Sequence, residues 1–179
     1  MLLAYRLLGP ADAIAYRALR LDSLRTAPEA FGSRYDDELH AETLKFDPVI
    51  QGGRPHDFLA GVFVDGELAG LCGFLRETRV KSLHRGDISH MYCSLPGQGI
   101  GSGLLGFALA VAFAQPGLDV VTLGVVSGNE KAILLYQNAG FTTYGQLDDY
   151  YRSDGQSWSL VQMVLTRTVY ESSILPKNE

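Results

Sequence analysis

The chain has 179 residues, 46% of them hydrophobic and 20% charged, with a formal net charge of −5 and an isoelectric point near 5.3. That length and apolar content fit one globular domain, 1–179, and exclude a disordered chain. The acidic balance and the lack of any Lys/Arg run argue against nucleic acid as a partner.

The only cysteines, Cys72 and Cys93, lie in apolar segments and form no disulfide scaffold. The two Cys and four His residues show no metal-ligand spacing, so no metal is expected. Met1–Arg6 lacks a basic leader and cleavage site, and the apolar run Leu104–Ala114 is shorter than the roughly 20 residues a bilayer requires. The expectation is a soluble cytoplasmic protein with no membrane partner.

In chain order, Leu2–Leu8 reads as a strand, and Pro10 opens a helix with Ile14, Leu19, Leu21 and Leu24 toward one side. Asp36–Ile50 is a weaker helical stretch. Asp57–Val64 and Leu68–Leu75 flank Asp65-Gly66, a strong hairpin signal. Arg79–Gly86 is a basic connection, and Asp87–Ser94 a strand. Gly97–Gly103 turns into a helix reaching Ala114, which Pro116-Gly117 stops. Val120–Val126 is a strand, Ser127–Ala139 a helix capped by Gly140. Phe141–Leu147 and Trp158–Val169 are strands separated by a polar loop. The order β-α-α-β-β-β-α-β-α-β-β predicts an α/β fold, a mixed sheet of about seven strands with helices on both faces.

Gly97-Gln98-Gly99-Ile100-Gly101-Ser102-Gly103 carries the most chemistry. A helix N-terminus offers unpaired N–H groups and a positive dipole end, and glycines let the backbone close around a phosphate. No Lys-Ser/Thr follows, which excludes a P-loop. Gly101–Gly106 does match the dinucleotide pattern G-x-G-x-x-G. However, no acid ends the next strand to bind a ribose, and too few strands follow for a doubly wound sheet.

Met91-Tyr92-Cys93 followed by Gly97–Leu105 resembles the acyl-CoA motif of the GCN5-related N-acetyltransferases. The second motif of that family is similar to Leu123–Val126 with Asn129, Ala132, Leu135-Tyr136 and Gly140-Phe141. Pro28–Ser33 is also similar to a stretch common in bacterial members. One departure is plain: Pro96 stands where the family has Arg or Gln, and the loop before Gly97 is about two residues short, with Gln98 positioned to substitute in a shifted register. The resemblance implies a mostly antiparallel, twisted sheet and acetyl-CoA as co-substrate.

By that resemblance, Met91, Tyr92 and Cys93 bind pantetheine like an added strand, with the Cys93 N–H on the thioester carbonyl. Gly97, Gln98, Gly99, Ile100, Gly101 and Ser102 hold the pyrophosphate. Tyr136 is the acid for the leaving thiolate, its alternative being a core aromatic alongside Ala132 and Ala139. Asn129 reaches the CoA arm, or else sits in the first turn behind a capping box begun by Ser127. The general base is Asp87, with His90 as rival, titrating near neutrality. Two-residue periodicity puts Asp87, Ser89, Met91 and Cys93 on one face and His90 on the other. Cys93 has no paired His and is not read as a nucleophile.

The function this implies is transfer of the acetyl group from acetyl-CoA to a primary amine by direct attack in a ternary complex. The alternatives are a non-catalytic acyl-CoA or nucleotide sensor on the same fold and a dinucleotide-binding protein. The acceptor, a small-molecule or peptide amine, would be met by Ala27–His40 and Asp148–Ser157. The acids there, Asp36, Asp37, Glu38, Asp148, Asp149 and Asp154, either suit a cationic amine or form solvated loops. A homodimer is common in the family, and the long last strand offers an edge for one.

Overall fold

The structure, a computed structural model, describes residues 1–174; residues 175–179 of the expected domain lie outside them. Its strands are β1 (Leu3–Leu7), β2 (Phe58–Val64), β3 (Glu67–Arg76), β4 (Arg85–Cys93), β5 (Val120–Val126), β6 (Thr142–Ser153) and β7 (Gln156–Thr166). Its helices are α1 (Ala13–Thr26), α2 (Tyr35–Leu39), α3 (Asp47–Ile50), α4 (Ile100–Phe113), α5 (Glu130–Asn138) and α6 (Arg167–Ile174). The seven strands form one sheet in the order β1-β2-β3-β4-β5-β7-β6, in which only β4 and β5 are parallel. Among the described residues, no helix is long and apolar enough to cross a membrane.

Local chemistry sets most of these elements. Asp65 (φ 50°) and Gly66 (φ 92°) both take the positive φ of the two-residue turn that matches strand twist, and close the β2–β3 hairpin. Asp154 (φ 50°) and Gly155 (φ 76°) do the same between β6 and β7. The expected polar loop at 148–157 is therefore a continuous hairpin. Its strands run on to Ser153 and from Gln156, and Arg167–Val169 belongs to α6 rather than to the last strand.

The sheet separates two apolar layers. On one face, α4 buries Leu104, Leu105, Ala108, Leu109 and Ala112 against β2–β5. Each fully buried leucine there contributes about 2 kcal/mol by area. On the other face α1 and α3 cover Leu59 and Leu71. The buried stripe of α1 is Tyr16, Leu19, Arg20, Ser23 and Leu24, at helical spacing, whereas Ile14 is 87% exposed. Of the expected side, Leu19 and Leu24 are buried, Ile14 is not, and the charged Arg20 completes the stripe. The single helical stretch expected over 36–50 is two short helices. Arg17 bridges the break by donating from Nη2 to the carbonyls of Glu38, Leu39 and Ala41. The last strand, β7, is interior, between β5 and β6, so the free edge beside it belongs to β6.

Candidate active site

β4 and β5 pair from Arg85–Val120 to Ile88–Leu123 and then part. Beyond that point β4 is paired only with β3, and β5 only with β7. The change begins at His90, which is left-handed (φ 57°), and the β3–β4 register slips there. His90 and Met91 together oppose the single residue Cys72, which makes a β-bulge. The backbone of Ser89–Cys93 is left with an unpaired edge facing the gap.

The bulge breaks the expected periodicity. Ile88, Met91 and Cys93 pack with the α4 layer. Ser89 lies on the α1 side, where Lys45 Nζ donates to its hydroxyl at 3.3 Å. Tyr92 returns to that side, its hydroxyl donating to Asp22 at 3.0 Å. Asp87 therefore does not share a face with Met91 and Cys93.

The gap is a cleft of about 450 Å³. Asp87, His90 and Met91 line it from β4, Thr122 from β5, and Asn129 and Tyr136 from α5. The Asp87 carboxyl accepts a hydrogen bond from Thr122 Oγ1 at 3.0 Å. Asp87 is exposed by accessible area, yet protein atoms crowd its carboxyl. That burial raises its pKa, against the opposing effects of the Thr122 hydrogen bond and the Lys45 charge.

His90 behaves differently from expectation. Burial first, then the charges of Arg20 and Lys45, push its pKa down to about 2. It is neutral throughout the working range and is not a base near neutrality. Its ring meets Phe46 edge-on, with centroids 4.9 Å apart.

Tyr136 is 6% exposed, and its ring packs edge-on against Phe141. Its hydroxyl makes no hydrogen bond to a described residue. Burial, with Cys72 and Asp87 nearby, raises its pKa above the ordinary phenol value. Asn129 is the N-cap of α5 itself, its Oδ1 accepting from the Ala132 N–H at 3.1 Å. The cap is thus two residues later than a box starting at Ser127, and the Asn129 amide nitrogen stays available to the cleft.

The glycine turn leads into α4. Gly97 (φ 83°) and Gly99 (φ 72°) are left-handed, and a Cβ on either would meet nothing within 4 Å. The backbone shape, rather than packing, requires glycine there. Gly103 N–H is the first of α4 to bond within the helix, to the Gly99 carbonyl at 3.1 Å. The N–H groups of Ile100, Gly101 and Ser102 have no intrahelical acceptor. A Cβ on Gly101 would lie 3.7 Å from Met91 Cε, so the turn adjoins β4 at the cleft. Gly103 instead gives way to the Tyr5 phenol, and Gly106 faces open space. The literal G-x-G-x-x-G is thus split between a turn and a packing contact, on a sheet that is not doubly wound. Gln98 is exposed, and Cys93 is half-buried with its Sγ directed at the Leu95 carbonyl.

Sequence reasoning missed Arg20, Lys45 and Thr122, which line the cleft. The Arg20 signal was present as a charge on an otherwise apolar helical stripe. Some of the loop acids are engaged locally, while Asp36 and Asp37 line a separate neighbouring pocket with Arg34 and Trp158. Asp148 accepts from Gln146 and Ser159, Asp149 from Arg152 and Ser157, and Glu38 is paired with Arg20. They do not form an acidic wall to this cleft.

Residues 17–141 match the model of the Acetyltransferase (GNAT) family. No curated protein matched. Among solved structures, a GNAT-family acetyltransferase from Streptococcus pneumoniae is 23% identical, with 92% of this chain and 99% of that one covered at a TM-score of 0.77. A putative acetyltransferase from Salmonella typhimurium, solved with its cofactor acetyl-CoA, is 20% identical, covering 93% and 94% at 0.75. A spermidine N-acetyltransferase from Vibrio cholerae, in complex with CoA and spermine, is 20% identical, covering 94% and 98% at 0.73. At such identities these likenesses carry the fold. The family match across most of the chain, joined to the glycine turn and the parted β4–β5 pair, establishes that this protein belongs to the GNAT acetyltransferase family.

Proposed function

We propose that the chain acts as one acyl-CoA N-acyltransferase domain in the cytoplasm, moving an acetyl group from acetyl-CoA to a primary amine within a ternary complex. The observation that carries this reading is the opening of β4 from β5 directly beyond Asp87 and Ile88, with Tyr136 and Asn129 reaching into the gap. An acceptor amine accords with the neighbour named for spermidine. A homodimer belongs to the same proposal.

Bound acetyl-CoA supplies an activated thioester. The open edge of Ser89–Cys93 offers main-chain donors and acceptors to an extended amide chain, with the Cys93 N–H on the thioester oxygen. The free N–H groups of Ile100, Gly101 and Ser102, shaped by Gly97, Gln98 and Gly99, suit a pyrophosphate. The Asn129 amide steadies the CoA arm. Asp87, with its raised pKa, takes a proton from the attacking amine as the carbon–nitrogen bond forms. The carbon–sulfur bond breaks, and Tyr136 gives its hydroxyl proton to the sulfur. That transfer is uphill in water, where thiols titrate near 8.5 and phenols near 10. Burial raises the Tyr136 hydroxyl further, so the transfer depends on a direct hydroxyl-to-sulfur contact as negative charge develops on the leaving group. Both groups then recover their protonation through solvent.

Purified protein with acetyl-CoA and a panel of amines should release CoA thiol and form the acetylated amine, detected by mass spectrometry. Binding of acetyl-CoA without turnover of any amine, together with no effect of Tyr136→Phe, would mark a sensor instead.

A further inference from the structure

Two buried side-chain nitrogens lack any hydrogen-bond partner among the described residues: Arg20 Nη1 and His90 Nε2. Both residues line the same cleft. Buried polar groups are almost always satisfied, and a charged donor left without a partner costs several times more than a neutral one.

Arg20 is 2% exposed, and its guanidinium is fixed by Glu38, which accepts from Nε at 2.8 Å and Nη2 at 2.6 Å. The remaining nitrogen, Nη1, is thereby held in a set direction with no acceptor. The Phe31 ring lies 4.8 Å from the guanidinium carbon and restrains it further. The His90 ring is locked by its left-handed backbone and by Phe46. With its proton on Nε2 the neutral imidazole is a donor. Lys45 adds a positive charge at the same end of the cleft, next to Ser89. The other carboxylate near this end, Asp87, is engaged with Thr122.

Arg20 Nη1, His90 Nε2 in its donor tautomer and the Lys45 charge line one cleft, and that set is complementary to a carboxylate. We propose that the acceptor is an amine bearing a carboxylate, such as an amino acid or an acidic peptide, and that Arg20 Nη1 and His90 Nε2 bind that carboxylate. This rests on the acetyltransferase reading for its choice of substrate. The site itself rests on the two unpartnered nitrogens. Arg20 and His90 bind substrate, and the chemistry stays with Asp87 and Tyr136.

The test compares amino acids with their C-terminal amides and decarboxylated amines, and short peptides with and without an acidic residue. Acids are expected to exceed their uncharged counterparts at least about tenfold in kcat/KM, since a site built for a charged group rejects analogues lacking it. Preference confined to acidic peptides assigns the carboxylate to a peptide; preference among free amino acids assigns it to a small molecule. Arg20→Lys keeps a cation beside Glu38 but loses the fork. It should raise the KM for acids about tenfold, with little change in kcat and none for decarboxylated amines. His90→Asn, which tolerates the left-handed backbone, should act in the same direction without depending on the Glu38 pair. Calorimetry of the acids alone separates the two readings. Binding lost in both variants, in a protein that does not turn over acetyl-CoA, leaves the carboxylate site standing and removes the transferase. Equal use of acids and amides, or acid binding that neither variant weakens, overturns the proposal while leaving acetyl transfer intact.

Discussion

The Asp87 carboxyl accepts a hydrogen bond from the Thr122 hydroxyl one rung before β4 and β5 separate. The last stretch of paired ladder therefore fixes the carboxylate at the head of the cleft. Burial raises its pKa, and the Thr122 bond partly offsets that rise. The pH profile of kcat/KM should show an acidic limb above the ordinary carboxylate range, because the base must be ionised to accept a proton. Asp87→Asn should abolish the limb and lower kcat/KM about 100-fold. Thr122→Val removes a bond to the ionised form, so it should move the limb to higher pH. An unmoved limb in both variants would assign the base elsewhere.

Tyr136 offers a clean separation of chemistry from stability. Its hydroxyl has no partner among the described residues, so Tyr136→Phe should change the unfolding free energy measured in urea by less than about 0.5 kcal/mol. Single-turnover kcat should fall about 100-fold, with acetyl-CoA affinity unchanged. A large stability loss with normal kcat would make it a core aromatic.

Gly99 tests the turn. An alanine there meets no steric obstacle, yet the left-handed conformation costs an L-residue about 1–2 kcal/mol. Gly99→Ala should weaken acetyl-CoA binding about tenfold by calorimetry. Gly106→Ala, in open space at a helical position, should leave that affinity as it is.

Glu38 governs acid stability. Burial pushes its carboxyl up, but hydrogen bonds from Arg20 and Ser33 and the nearby positive charge win, and its pKa is lowered. A lowered carboxyl contributes stability above its unfolded pKa and loses it as pH falls through the folded one. The denaturation midpoint should therefore decline from about pH 5 downward. Glu38→Gln should flatten that decline and cost about 3 kcal/mol at neutral pH, because Arg20 is left buried with an uncharged partner.

The readable parts of this chain were those set by local chemistry. Asp65-Gly66 marked its hairpin because alternating apolar strands flank it. The same dipeptide at Asp154-Gly155 was hidden by polar flanks, where Asp148 and Asp149 are tied to neighbouring side chains. The glycine turn was legible through its spacing, whereas Tyr136 was singled out only by the family resemblance. The β4 bulge was not, because one left-handed histidine reverses the faces of every residue after it, and nothing in the period of a strand announces that. Arg20 was legible in principle. Counting only apolar positions on α1 included Ile14 and passed over Tyr16 and Arg20, which share the buried stripe with Leu19 and Leu24.

The parted strands also have a mechanical consequence. Only four rungs join the β1–β4 half of the sheet to the β5–β7–β6 half. A ligand lying along the open edge would act as a stitch, adding main-chain bonds where the seam is shortest. Amide exchange along Ser89–Cys93 should then slow sharply on binding acetyl-CoA, while exchange in the middle of α4 stays as it was. The protein would be most pliable where its reaction takes place, and would gain its full stiffness only with the first substrate in hand.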